Sequence, residues 1–238
     1  VHAESMKPRF VGEMGLADAV TVANAALGFL AAVAATVDVA LAARLILLAA
    51  IADALDGVVA RRRGGTAVGE YLDSLADVAS FGVAPALLVA VAVREAWAFD
   101  ALGVGVALFG SALFVAAAVT RLGLYTAYDS DLAETEGVQT TLAATILSAG
   151  VLAGFTDPVI LVSLVYLLAA LMVTTITYPD LHAQDALVMG VVQALAVLLT
   201  GPVGRRLVGD LGRGFAFGLL FLALAYLFLG PMFYWRRD

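Results

Sequence analysis

The sequence predicts an all-α integral membrane protein, built as a polytopic helical bundle. Of its 238 residues, 63% are hydrophobic and 14% are charged, and the mean hydropathy is +1.00. Soluble domains average about 45–50% apolar and about 25% charged residues, so this composition excludes a water-soluble globule. The net charge of -7 argues against a nucleic-acid-binding protein, because such proteins carry a basic face. The chain has no cysteine, which excludes disulfides and thiolate metal sites.

Eight runs with few charged residues are candidate membrane spans, since about 20 residues cross the hydrocarbon core. The predicted spans cover 19–36, 39–61, 69–93, 101–120, 138–156, 158–179, 186–204 and 214–235. Pro158 is well placed to begin the sixth helix, although the fifth and sixth spans are also compatible with one long kinked helix. Residues 1–5 precede Met6 and are interpreted as an expression remnant. The rest, 6–238, is predicted to be a single membrane-embedded domain.

Positive residues predict the orientation, because cytoplasmic loops are enriched in Lys and Arg. Placing the N-terminus inside puts seven positive residues on the cytoplasmic side: Lys7, Arg9, Arg61, Arg62, Arg63, Arg236 and Arg237. Arg205, Arg206 and Arg213 contradict the rule, since eight spans place their loop outside. The majority predicts a plasma-membrane protein with both termini in the cytoplasm.

Four aspartates interrupt two otherwise apolar segments: Asp53 and Asp56 in the second span, and Asp73 and Asp77 in the third. Each charge at the centre of a bilayer costs about 2.5–3.5 kcal/mol, so four unpaired carboxylates would be strongly unfavourable. In a helix the first pair is about 60° apart and the second about 40° apart, so each pair shares a face. Oxygen ligands select hard cations, which predicts Mg²⁺ or Mn²⁺ at these aspartates.

Small residues and an arginine accompany the aspartates. Gly57, Ala60 and Gly69 would let a polar ligand approach the backbone, although the same residues also suit close helix packing. Arg61 offers a guanidinium fork that fits phosphate oxygens. Metal ligands together with a phosphate-binding arginine indicate phosphoryl-transfer chemistry.

Residues 53–77 read Asp-x2-Asp-Gly-x2-Ala-Arg-x7-Gly-x3-Asp-x3-Asp. This pattern resembles the signature of the CDP-alcohol phosphotransferase family, with every signature position filled. The following residues, up to Ala86, are similar to the phosphatidylserine and archaetidylserine synthase branch, as are 21–28 and 121–126. Gln139 stands where that branch usually has a proline, and an asparagine common near the end of 121–126 is absent. The acidic, lysine-poor composition favours an archaeal member.

The resemblance implies transfer of a phosphatidyl or archaetidyl group from a CDP-linked lipid, CDP-archaeol or CDP-diacylglycerol, to the hydroxyl of L-serine. CMP is released. Two divalent ions, Mg²⁺ or Mn²⁺, are expected on the four aspartates, with Asp77 also acting as general base. The nucleotide and its diphosphate are expected to bind at Thr21, Asn24, Gly57, Ala60, Arg61 and Gly69. The family also implies a homodimer in contact with membrane lipids.

Arg121 and Ser80 are expected to bind the acceptor. Arg121 is equally compatible with an arginine that extends from a helix end to the membrane surface. A serine within a helix more often bonds to the carbonyl four residues earlier, which is the other interpretation of Ser80. The acidic loop 129–136 is predicted to be a solvated turn, because it lacks the ligand order of an EF-hand.

Two other functions stay open. The acceptor could be inositol phosphate or glycerol phosphate, which would favour several arginines at the site rather than Arg121 alone. A divalent-cation transporter is the alternative from another class, since aspartates inside membranes often mark ion pathways. The second half of the chain has no inverted repeat of the acidic pattern, which argues against that alternative.

Overall fold

The computed structural model describes residues 13–98, 100–129, 134–179 and 181–233, apart from the side chains of 59–63, 129, 183 and 233. These ranges form α-helices, two π-helical segments (Val78–Val83 and Tyr125–Asp129) and one two-stranded sheet. The α-helices are α1 (Leu16–Ala35), α2 (Val39–Arg63), α3 (Gly69–Asp77), α4 (Ala84–Ala96), α5 (Ala101–Leu124), α6 (Thr140–Ala153), α7 (Pro158–Met172), α8 (Ala183–Leu199), α9 (Pro202–Val208) and α10 (Leu211–Phe233).

The architecture is that of a helical integral membrane protein, which confirms the predicted fold class. In the described ranges, four helices are long and apolar enough to cross a membrane: Leu16–Ala35, Gly69–Ala96, Ala101–Tyr128 and Leu211–Met232. The bent pair of α8 and α9 would make a fifth. Helices α6 and α7 are apolar but contain only 14 and 15 residues, about 21–23 Å against a hydrocarbon core of about 30 Å. The count of eight spans stays a prediction.

A tight turn joins α1 to α2 and makes them an antiparallel hairpin. Asp38 begins α2, because its Oδ1 accepts hydrogen bonds from the N–H groups of Ala40 (2.8 Å) and Leu41 (3.1 Å). A carboxylate at this position satisfies donors that a helix start leaves unpaired. The hairpin places the first turns of α1 beside the last turns of α2, where two of the aspartates lie.

The predicted span 69–93 is one continuous segment of three parts: α3, the π-helical residues Val78–Val83, and α4. It is the most enclosed of the four spans, with 72% of its apolar window buried against 28–33% for the others. Pro85 lies in the first turn of α4 and cannot donate the backbone hydrogen bond that would continue the regular ladder. Gly28 of α1 packs on this segment so closely that a Cβ would lie 2.7 Å from the Ser80 backbone.

The fifth and sixth predicted spans are separate helices rather than one kinked helix. Gly154 ends α6 in the left-handed conformation, with φ at 94°, which glycine adopts without steric cost. Asp157 begins α7 by accepting from the N–H groups of Val159 (2.8 Å) and Ile160 (3.3 Å). Pro158 occupies the first helical position, where its missing N–H is harmless.

Two short strands form an antiparallel sheet, with β1 (Glu134–Glu136) against β2 (Thr177–Pro179). The predicted span 158–179 is too long, because α7 ends at Met172. Of the predicted acidic turn 129–136, residues 130–133 lie outside the described part of the chain; Glu134 and Glu136 are exposed, as predicted, whereas Thr135 between them is buried in β1. The sheet is held by α10, because the Tyr178 hydroxyl donates to the Leu227 carbonyl (3.1 Å) and the Tyr226 hydroxyl donates to the Pro179 carbonyl (2.5 Å).

Candidate active site

The structure brings the four predicted aspartates together. Carboxylate oxygens of Asp53 and Asp56 on α2 and of Asp73 on α3 all lie within 4.8 Å of one another. Asp77 lies one turn further along α3, near enough for its charge to interact with those of Asp53 and Asp73. Residues three or four apart share one face of a helix, so two short helical segments are enough to build this cluster.

The donor set of this cluster fits divalent metal ions. Asp56 and Asp77 are buried, and Asp53 and Asp73 are half-buried. In the described part of the chain, Oδ1 of Asp77 is buried without a hydrogen-bond partner. Carboxylates this close need a counter-charge in order to ionise together. Their oxygen-only chemistry suits Mg²⁺ or Mn²⁺.

Helix α1 contributes two polar side chains to the same region. The Thr21 hydroxyl donates to Oδ2 of Asp56 (2.7 Å) and also lies 3.1 Å from the Ala17 carbonyl, so it fixes the orientation of that carboxylate. Asn24 lies one turn further along α1 and is fully buried. Its side-chain amide has no hydrogen-bond partner among the described residues. Since buried amides are normally hydrogen-bonded, Asn24 offers both a donor and an acceptor to a ligand.

Ser80 is engaged with α1. Its hydroxyl donates to the Asn24 carbonyl at 2.8 Å, so the interpretation that it bonds to its own helix is wrong. The same close approach accounts for the glycine at position 28, where a side chain would overlap Ser80. The observed contact of Ser80 therefore joins α1 to the π-helical segment that follows Asp77.

Arg121 is buried near the end of α5, at 7% exposure. One of its guanidinium nitrogens, Nη2, donates to the Thr135 hydroxyl at 3.0 Å. The guanidinium carbon lies 5.0 Å from the centre of the Tyr125 ring, a distance at which cation–π attraction operates. The charge of Arg121 also acts on Asp77. The interpretation that this arginine extends to the membrane surface is therefore wrong, because its side chain lies inside the bundle beside the aspartates.

A second contact joins the end of α5 to the aspartates. The hydroxyls of Ser74 on α3 and Thr126 lie 2.5 Å apart, and Thr126 also lies 2.9 Å from the Leu122 carbonyl. Thr126 belongs to the π-helical segment Tyr125–Asp129, and π-helical turns are frequent at functional sites. The stretch 121–126, which the sequence pattern marks as similar to one branch of the family, thus packs directly on the helix that carries Asp73 and Asp77.

Comparison with known protein families shows the family to which this chain belongs. Residues 14–200 match the sequence profile of the CDP-alcohol phosphatidyltransferases. The chain belongs to the CDP-alcohol phosphatidyltransferase family. The matched region contains the four aspartates and Arg121, and it confirms the resemblance that the motif at 53–77 predicts.

Three enzymes of named activity are similar to this transferase. The archaetidylserine synthase of Methanothermobacter thermautotrophicus is 32% identical over 178 residues, which cover 73% of each chain. The CDP-diacylglycerol–serine O-phosphatidyltransferase of Helicobacter pylori is 36% identical over 147 residues, 57% of this chain and 59% of that protein. The enzyme of the same name from Methanocaldococcus jannaschii is 44% identical over 75 residues, 31% of this chain and 34% of that protein.

The sequence did not predict the hydrogen bonds that Asp18 on α1 accepts. This side chain is 2% exposed, and its Oδ2 accepts from the Gly15 N–H (2.6 Å) and from the Thr66 hydroxyl (2.9 Å). A Cβ on Gly69 would lie 3.1 Å from the other carboxylate oxygen. Asp18 therefore ties the loop between α2 and α3 to the start of α1. The available signal was an acidic residue one turn before Thr21 in an apolar helix.

The predicted phosphate-binding residues are described only in part. Gly57 follows Asp56 on α2, Gly69 begins α3, and both are half-buried. Ala60 and Arg61 lie in the last turns of α2, but their side chains lie outside the described part of the structure. Their contribution to diphosphate binding stays a prediction.

Proposed function

We propose that the protein transfers a phosphatidyl or archaetidyl group from a CDP-linked lipid to the hydroxyl of L-serine and releases CMP. The observation that carries the proposal is the buried Arg121 beside Asp77, which places a fixed cation next to the aspartate cluster. A carboxylate-bearing acceptor would pair with that cation while its hydroxyl reaches Asp77. Two of the three similar proteins are CDP-diacylglycerol–serine O-phosphatidyltransferases, and the third is an archaetidylserine synthase.

The donor is proposed to bind at the aspartate cluster. Asp53, Asp56, Asp73 and Asp77 would hold two divalent ions, Mg²⁺ or Mn²⁺. When bound, these ions would neutralise the diphosphate and stabilise the charge that develops on the leaving group. Thr21 would keep Asp56 in its ligating orientation, because its hydroxyl already donates to that carboxylate.

The other proposed contacts with the CDP-lipid are inferred from where the residues lie relative to the aspartate cluster. Gly57, Ala60 and Gly69 would leave space for the nucleotide and diphosphate, and Arg61 would bind phosphate oxygens. Asn24 would contact the cytidine, since its buried amide has unused hydrogen-bonding capacity among the described residues. The donor lipid itself is proposed to be CDP-archaeol or CDP-diacylglycerol.

Asp77 is proposed as the general base. Its buried Oδ1 would accept the proton of the serine hydroxyl as the serine oxygen forms a bond to the lipid-bearing phosphorus. The bond from that phosphorus to the CMP oxygen breaks, and CMP departs with the electron pair. Because a carboxylate is a weak base at neutral pH, this step depends on the hydroxyl lying within hydrogen-bonding reach.

Arg121 is proposed to bind the serine carboxylate. Thr135 accepts from one guanidinium nitrogen and Tyr125 lies beneath the group, so the fork is held in one orientation and little entropy is lost when the acceptor binds. Of the arginines whose side chains are described, Arg121 is the one that acts on the cluster, which favours serine over a phosphorylated alcohol. Ser80 could reach the acceptor only by giving up its bond to the Asn24 carbonyl.

The cellular setting is part of the same proposal. Residues 6–238 would act as one membrane-embedded domain in the plasma membrane, as a homodimer. Both termini and the aspartate cluster would face the cytoplasm, where serine and CMP are exchanged.

The test is CMP release by purified protein given a CDP-lipid with Mg²⁺ or Mn²⁺. L-Serine is compared with myo-inositol phosphate and glycerol 3-phosphate, and Asp77→Asn is the control. We expect serine-dependent CMP release that falls about 10²- to 10⁴-fold in the variant, the range for loss of a positioned base. Release with another alcohol would overturn the serine assignment. Absence of release with every acceptor, in folded protein that binds metal, would overturn the transferase proposal and favour cation transport.

A further inference from the structure

A second charged region lies at the other end of α2. Arg44 precedes Asp53 by nine residues, about 14 Å along the helix axis. The residue is 9% exposed, and its guanidinium donates to the Thr200 carbonyl at 3.0 Å and lies 3.8 Å from the Asp38 carboxylate. Thr200 ends α8, and Arg205 on α9 lies near enough for its charge to act on Arg44. This end of α2 therefore brings Arg44 and Arg205 close to each other, away from the aspartate cluster.

A cavity of about 300 Å³ opens at this arginine-rich end. Such a volume is at the lower limit of ordinary ligand pockets, about 300–1,000 Å³. Its polar lining comes from Thr200, Arg205, Asp210 and Arg213, and the ends of α6 and α8 together with Gly209 supply the rest. Within the described part of the chain, neither Arg205 nor Arg213 has a carboxylate within salt-bridge distance. The two arginines and Asp210 leave one net positive charge in the cavity.

Arg213 is held in place at the cavity wall. Its Nε donates to the Ala153 carbonyl at 2.8 Å, and its guanidinium lies against Gly154, where any Cβ would overlap it. The residue thus caps the end of α6 while its guanidinium stays at the cavity.

Helix α9 gives this cavity a membrane setting. It is bent by 91° from α8, so it lies across the bundle end rather than along it. Val203 and Leu207 are 69% and 78% exposed on the same short helix as Arg205 and Arg206. Exposed apolar side chains beside arginines are typical of segments at the boundary between lipid tails and headgroups. These are also the arginines that contradict the positive-inside pattern.

We infer that this cavity binds a singly charged phosphate group through Arg205 and Arg213, and that its source is the phosphodiester headgroup of a membrane lipid. One net positive charge matches one phosphodiester charge, and guanidinium forks bind phosphate oxygens in pairs. Soluble inorganic phosphate presents the same chemistry and is the other source that the experiment distinguishes. This site is separate from the aspartate cluster and does not depend on the proposed transferase reaction.

The test compares Arg205→Glu with Arg206→Glu. The two arginines are adjacent and exposed on α9, and both substitutions change the charge equally, but only Arg205 lines the cavity. Purified protein in detergent is titrated with phosphatidylglycerol, and separately with inorganic phosphate, and adducts are counted by native mass spectrometry. We expect Arg205→Glu to weaken one lipid adduct at least about tenfold, since a hydrogen-bonded charge is lost, and Arg206→Glu to retain it.

Arg205-dependent binding of inorganic phosphate without the lipid adduct would overturn the headgroup assignment. Equal weakening by both variants, or by neither, would overturn the site itself. Arg205→Gln serves where the charge reversal fails to give monodisperse protein, with Arg206→Gln as its control. CMP release should be unchanged in each folded variant, because the aspartate cluster is remote.

Discussion

The two sides of the proposed active site are built differently. The donor side (Thr21, Asp53, Asp56, Asp73 and Asp77) comes from the hairpin α1–α2 and the next helix along the chain. The acceptor side (Arg121, Tyr125 and Thr135) depends on strand β1, which contains Thr135. This strand pairs with β2, more than 40 residues later in the chain, and β2 is in turn hydrogen-bonded to α10. The donor side therefore depends on local helix geometry, and the acceptor side depends on long-range packing. Substitutions on the donor side should reduce transfer to every acceptor, whereas substitutions on the acceptor side should reduce transfer to serine alone.

The largest expected effect is on the donor side. Asp53→Asn should reduce CMP release about 100-fold or more with any acceptor, because the Asp53 carboxylate lies within 4.8 Å of those of Asp56 and Asp73 and loss of even an indirect metal contact costs about 10- to 100-fold. Initial rates across a titration of Mg²⁺ and Mn²⁺ are the measurement. Asp100→Asn, an exposed aspartate before α5, is the matched control and should be neutral. Full activity of Asp53→Asn would remove the aspartate cluster from the reaction.

An intermediate effect is expected from Arg121→Gln. Loss of a charge-assisted hydrogen bond of about 1.5–3 kcal/mol should raise the KM for serine about 10- to 150-fold. The KM for the CDP-lipid should change little. Arg121→Lys should recover part of the loss, because it keeps the charge without the bidentate fork. An equal rise of both KM values would instead place Arg121 on the donor side.

The same contrast explains what the sequence could predict. The four aspartates were predictable, because spacing of three or four residues puts side chains on one helix face whatever the rest of the chain does. The break between α6 and α7 also has local causes, at Gly154 and at Asp157. Eight apolar runs correspond to helices, but periodicity cannot tell a 14-residue buried helix from a full span.

The acceptor side was predictable only at Arg121. Its partner Thr135 lies in a three-residue strand, which is too short to show an alternating pattern and forms because Thr177–Pro179 pairs with it. Burial of Tyr178 beneath α10 likewise depends on how helices pack. Asp18 was missed for a related reason, since its partner Thr66 belongs to a different loop, 48 positions later.

The smallest expected effect tests whether long-range packing positions Arg121. Thr135→Val keeps the side-chain shape but removes the hydroxyl that accepts from Nη2. Loss of one hydrogen bond of about 0.5–1.5 kcal/mol should raise the KM for serine about 2- to 12-fold with kcat nearly unchanged. Thr135→Ser, which retains the hydroxyl, should restore the serine KM. If Thr135→Ser and Thr135→Val lower kcat equally for every acceptor, Thr135 supports the fold of the sheet and does not orient the arginine. A change confined to the serine KM would show that a strand far along the chain sets acceptor affinity without contacting the acceptor.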